Sequence, residues 1–108
     1  MTSARLKHLR SKSSYSDIAY NTFVSEGAYS AEMLKNDLLK AGIRITEIRL
    51  DEHEKTCEFF CGFKGQPFSV GIEENRHGAA SSRIMFEADL LLMRNLMDAL
   101  GINEEECY

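Results

Sequence analysis

His53, Cys57 and Cys61 follow one another at intervals of four residues, the spacing that would align three metal ligands along one face of a helix. The residues around them alternate as a strand does, with Cys57, Phe59, Cys61 and Phe63 on one parity. At roughly 3.3 Å per residue the two cysteines of such a strand stand about 13 Å apart. One tetrahedral zinc, with Zn–S bonds of about 2.3 Å, does not bridge that gap. Both thiols are therefore expected in a core as small hydrophobes, and neither a metal nor a cofactor is expected.

A second constellation is Arg76-His77-Gly78-Ala79-Ala80-Ser81-Ser82-Arg83. Small residues let backbone amides approach an anion, a helix start offers unpaired N–H groups, and two arginines add charge. Arg76, His77, Ser82 and Arg83 are thus candidates for holding a phosphate or carboxylate. The plainer reading is a polar loop in which Ser81 or Ser82 caps the following helix. Asp89 lies among apolar residues, where a carboxylate of raised pKa would suit acid–base work; an acid near a helix start is also what the helix dipole favours. Nucleophile-elbow and phosphate-loop patterns are missing from the sequence. At least two of the three histidines fall on segments that read as mobile, so the chain is read as non-enzymatic.

The elements that must position these residues begin with a helix after Ser30, a good N-cap, with Glu32 in its first turn. Ala31, Leu34, Leu38 and Ala41 form its apolar stripe, and Gly42 followed by Ile43 predicts a Schellman stop. Leu100-Gly101-Ile102 repeats that stop after a second helix. Between the helices the period changes to two. Ile43 and Ile45 share one parity and Ile48 and Leu50 the other, which predicts a bulge near Thr46-Glu47. Asp51 to Lys55 reads as a hairpin turn, Gly65-Gln66-Pro67 as the next, and Phe68, Val70 and Ile72 as a third strand. Phe60 points away from the core face, where it covers a bare glycine such as Gly71 or anchors a partner. Residues 15–27 fit a short helix or an irregular strand equally well.

Residues 84–100 hold twelve apolar side chains in seventeen positions. Laid out as one helix, they cover an arc of about 200°, whereas a helix resting on one core needs a stripe of only about 100°. The surplus calls for a second surface to bury it. Met85, Leu92, Met93, Leu96 and Met97 are the candidate contacts, since methionine suits adaptable interfaces.

Composition narrows the class further. The chain has 108 residues, 44% hydrophobic and 28% charged, which suits one self-supporting globular domain. Three cysteines are too few and odd in number for a disulfide framework, so a reducing, cytoplasmic setting is expected. No apolar run approaches the roughly 20 residues of a membrane span, and residues 1–16 lack the apolar stretch of a secretory signal. The net charge of −4 is uneven: residues 1–14 hold Arg5, Lys7, Arg10 and Lys12 and no acid, leaving all seventeen acids to the remainder. That start reads as a solvated, mobile arm or as a polybasic contact for an acidic surface.

Helix, three strands, helix is also the layout of the double-stranded-RNA-binding domain. The stretch from about Ser30 to Leu100 resembles that family in element order, with His53 in the first hairpin turn and Arg83 before the last helix. In that family a turn histidine and a lysine cluster at the helix start contact the RNA, so the resemblance implies contacts from those two places. Here the turn is Asp51-Glu52-His53-Glu54 and the lysine cluster is missing.

The expected fold is therefore α+β, a two-layer sandwich of two helices on an antiparallel three-stranded meander, four-stranded if residues 83–86 form a strand and the helix starts near Glu87. Its order is α-β-β-β-α over a single domain at 15–108, preceded by the basic Ser-rich arm at 1–14. The expected function is a protein–protein interaction module of adaptor, chaperone, immunity or inhibitor type. It would associate through the apolar C-terminal helix, with Phe60 beside it, as a homodimer and away from membranes. The alternative is a nucleic-acid or phosphate-ligand domain using Arg76, His77, Ser82, Arg83 and the arm.

Overall fold

Alternation builds the sheet. The structure is a computed structural model that describes residues 6–15 (backbone alone), 18–25, 28–74 and 82–102. Its elements in chain order are β1 (Leu6–Tyr15), β2 (Ile18–Ser25), α1 (Ala31–Lys40), β3 (Arg44–Asp51), β4 (Thr56–Phe63), β5 (Gln66–Glu74), β6 (Ser82–Asp89) and α2 (Leu90–Leu100). The strands form one antiparallel sheet in the order β1-β2-β6-β5-β4-β3. From Ile18 onward this is a five-stranded sheet carrying two helices, and β1 adds a strand outside β2.

The α+β class and the antiparallel meander are as the sequence implies, but three strands are too few. Residues 82–89, expected mainly as loop and helix, are a strand, and the ambiguous segment at 18–25 is another. The basic arm is not separate from the sheet, because its backbone over Leu6–Tyr15 pairs with β2. The order found is β-β-α-β-β-β-β-α, so the layout shared with the double-stranded-RNA-binding domain does not hold.

One face of the sheet is the core. Phe23, Ile84, Ile72 and Cys57 run across it in register, as do Asn21, Phe86, Val70 and Phe59. Phe23 and Phe86 meet edge to face with ring centroids 5.7 Å apart, the geometry that aromatic quadrupoles favour. The bulge falls where the parity change puts it: Ile45 pairs with Cys61 and Glu47 with Phe60, leaving Thr46 as the extra residue. Thr46 secures it by donating its hydroxyl to the Phe60 carbonyl at 2.9 Å. The β4–β5 turn is Lys64-Gly65, both at positive φ, so Gln66 and Pro67 belong to β5 and not to the turn.

The helix ends follow their local signals. The Met33 amide donates to Ser30 Oγ at 3.2 Å and the Ala31 amide to Glu74 Oε2 at 3.0 Å, which occupies two of the free donors at the start of α1. The Ile43 amide reaches back to the Leu38 carbonyl, and Ile102 to Met97 in the same way. Both follow glycines in the left-handed region, Gly42 at φ 80° and Gly101 at φ 73°. Leu34 and Leu38 of α1 and Leu92, Met93, Leu96 and Met97 of α2 fill the core. Tyr29, before α1, is buried and donates its hydroxyl to Asp37 at 2.5 Å. Burial and the Asp37 carboxylate hold its phenol well above the usual range. Among the described residues no helix is long and apolar enough to cross a membrane.

Candidate interaction surfaces

Apolar side chains that the core does not consume are the first thing to locate. The helix that begins at Leu90 explains why the surplus looked so wide. Ile84, Phe86 and Ala88 are buried on the period of two and Met85 points to the opposite face, so these four belong to a strand and not to the wheel. Asp89 ends that strand and caps α2, accepting from the Leu91 amide at 3.0 Å and the Leu92 amide at 3.4 Å. Its place among apolar residues is thus that of an N-cap. Within α2 the buried Leu92, Met93, Leu96 and Met97 span an arc of about 140°.

Those four residues, expected as partner contacts, are packed against this chain's own sheet. Of the expected contacts, Met85 is half-exposed on the face without helices. Phe60 lies on that same face, partly buried, with the Arg49 guanidinium 4.8 Å from its ring centroid. Its partner on β5 is Ser69; Gly71 sits opposite Glu58 instead. The large apolar residues that α2 leaves exposed are in its first turn, where Leu91 is 75% exposed and Leu90 about half. Leu91 lies outside the buried arc of the helix. Ile18 pairs with Asp89 at this same end of the sheet and is also exposed.

A second apolar surface lies at the other edge. Among the described residues β3 has a neighbour on one side only, β4. Its core-face side chains Ile48 and Leu50 are 44% and 72% exposed, and Leu39 on α1, which packs against β3, is exposed as well. On the opposite face Arg49 pairs with Glu47 at 2.6 Å. Sequence reasoning placed Ile48 and Leu50 on a strand but did not mark them as a surface. The available signal was the order of charges along Arg44-Ile45-Thr46-Glu47-Ile48-Arg49-Leu50-Asp51, with a base and an acid at its two ends and an acid and a base inside.

Ser82 and Arg83, the described members of the expected anion site, lie at the start of β6 and not at a helix start. Ser82 opens β6, buried, with its amide donating to Ser25 Oγ at 2.9 Å and its hydroxyl to the Tyr29 carbonyl. Arg83 is engaged by Glu73, Nε and Nη2 lying 2.9 and 2.8 Å from Oε1. Arg76 and His77 fall outside the described residues. A groove of about 430 Å³ opens beside the β3–β4 turn, with Leu50, Glu52, Cys57 and Glu74 among its walls. Burial and the nearby Glu74 push the Cys57 thiol up, and burial pushes that of Cys61 to about 12. Both are therefore poor nucleophiles at neutral pH. His53 lies in the exposed turn, apart from them, and among the described residues no three His, Cys, Asp or Glu side chains converge.

No protein-family model, no curated protein and no solved structure matches this chain.

Proposed function

We propose that this chain is a protein-binding module that contacts another polypeptide through the exposed start of α2. The observation that carries this reading is Leu91, 75% exposed and followed within two residues by fully packed core. Leu90 adjoins it, and Ile18 and Met85 add exposed apolar area on the helix-free face. Large aliphatic residues left open side by side supply the apolar area that a contact surface buries. The first turn of α2 is anchored by the Asp89 cap and by the buried turn that follows, so the patch is presented on a rigid element with little ordering cost on binding.

The test is retention of a binding polypeptide by the immobilised chain, compared with a Leu90→Lys/Leu91→Lys variant of unchanged circular dichroism. A polypeptide that binds the native chain, is then purified and rebinds it directly, and is lost from the variant supports the reading. Equal retention by both proteins refutes the α2 surface.

A further inference from the structure

We propose that a second copy of this chain pairs with the free edge of β3, antiparallel about a two-fold axis through Ile48, so that two sheets become one. This deepens the protein-binding reading by naming one partner and a surface for it separate from the start of α2. The argument is the complementarity of the strand to itself. Two identical strands related by such an axis place Ile48 opposite Ile48 of the second copy, and Glu47 opposite Arg49 twice over. Beyond Glu47 the bulge matters. Thr46 is skipped in the pairing with β4, and skipping it on the outer edge as well sets Leu50 of the second copy against Ile45 and Asp51 against Arg44. Every charge on the strand then meets its opposite, and every aliphatic residue meets another.

The faces agree with that register. Ile45, Ile48 and Leu50 stand opposite Cys61, Phe59 and Cys57 of β4, all on the core face. Arg44, Glu47, Arg49 and Asp51 stand opposite Gly62, Phe60, Glu58 and Thr56 on the other face. Directly opposed residues of antiparallel strands share a face, so apolar groups would meet beside α1 and ionic groups on the helix-free side. Charges and a bulge on an edge strand commonly discourage pairing with foreign strands. Here the same charges select one strand, the chain's own, in one register. Ile48 and Leu50, exposed in the single copy, would be covered in the pair.

The experiment is disulfide trapping in the full chain carrying Cys107→Ser, where Cys57 and Cys61 are buried. Residues opposite each other across antiparallel strands have Cα atoms about 4.5–5.5 Å apart, inside the window of about 4.4–6.8 Å that a disulfide needs. Ile48→Cys is expected to give a covalent dimer on mild oxidation at micromolar concentration. Leu50→Cys, whose two copies would sit about 13 Å apart, is expected to form no covalent dimer. The reverse pattern, or no cross-link from either variant, overturns the proposal.

Light scattering supplies the second arm. Arg49→Glu should halve the molar mass with the fold intact by circular dichroism, and Glu47→Arg/Arg49→Glu should restore the dimer. A dimer that survives Arg49→Glu but is lost in Leu91→Lys puts the second copy on α2, which overturns the edge proposal and keeps the α2 reading. A native chain that stays monomeric at all concentrations also overturns the edge proposal. The reading of α2 then stands or falls on its own capture experiment.

Discussion

Two leucines five residues apart on α2 offer a sharp comparison, Leu96→Ala against Leu91→Ala. Leu96 has no exposed surface and Leu91 is 75% exposed. Truncating a buried leucine removes its transfer free energy and leaves a cavity that the surroundings only partly fill, at a cost of about 2–5 kcal/mol. At α2 the loss should lie near the middle, about 3 kcal/mol, because the helix packs on β6 and β2 from one side only and can settle partway into the gap. A domain of this size has about 5–15 kcal/mol in total, so the variant stays folded at 25 °C but melts about 12–20 °C lower. Leu91→Ala exchanges one good helix former for another at an open position and should cost no more than about 0.5 kcal/mol. Urea denaturation followed by circular dichroism at two protein concentrations measures both. Equal losses would refute the placement of α2 on the sheet. A loss in Leu91→Ala that grows with protein concentration would instead show that Leu91 is buried between molecules.

Three further expectations follow from single groups. Asp89→Ala removes the oxygen that accepts from two amides of α2 and should cost about 1 kcal/mol, with Asp89→Asn costing less; denaturation midpoints decide. Gly42→Ala introduces a side chain with nothing within 4 Å to obstruct it, so any loss is conformational and should be about 1 kcal/mol. A neutral result would show that the backbone there does not hold its left-handed turn. Cys61, whose thiol is pushed up to about 12 by burial, should be alkylated at pH 8 only at the rate at which the core opens. Because its folded pKa lies above the unfolded value of about 8.5, the stability it contributes is complete below that pH and drains away as pH rises toward 12. Alkylation as fast as that of a free thiol would refute its burial.

Some of this architecture is written in short stretches of sequence, and some of it is not. β4 and β5 announce themselves because one face is core and the other is open, so buried apolar residues recur at every second position, with Phe60 as the one large apolar residue on the open face of β4. The stops at Gly42 and Gly101 and the cap at Ser30 are equally local. β6 is different. Ile84, Phe86 and Ala88 keep the strand period, but Met85 between them is apolar too, and four leucine and methionine residues follow Asp89 at once. A short apolar run of that kind fits a buried strand or a helix face alike. The wide arc assigned to a single helix came from joining two elements, and four of its supposed contacts proved to be core. β2 was hard to read for another reason: its neighbours in the sheet are β1 and β6, and β6 lies far along the chain. The edge at β3 was legible as a strand, but whether an edge is open depends on the order of strands in the sheet.

That order also governs how the molecule is assembled. β3 to β6 each pair with a sequence neighbour, so they can associate as soon as each is available. β2 must wait: its pairing to β6 joins Ile18 to Asp89 and Val24 to Arg83, and on a ribosome it emerges long before its partner. Loop-closure entropy is met before such distant contacts return any stability, which slows the pairing of β2 with β6 relative to that of the sequence-neighbour strands. The last event to expect is therefore the docking of the N-terminal strands beside β6, with α2 closing over the seam.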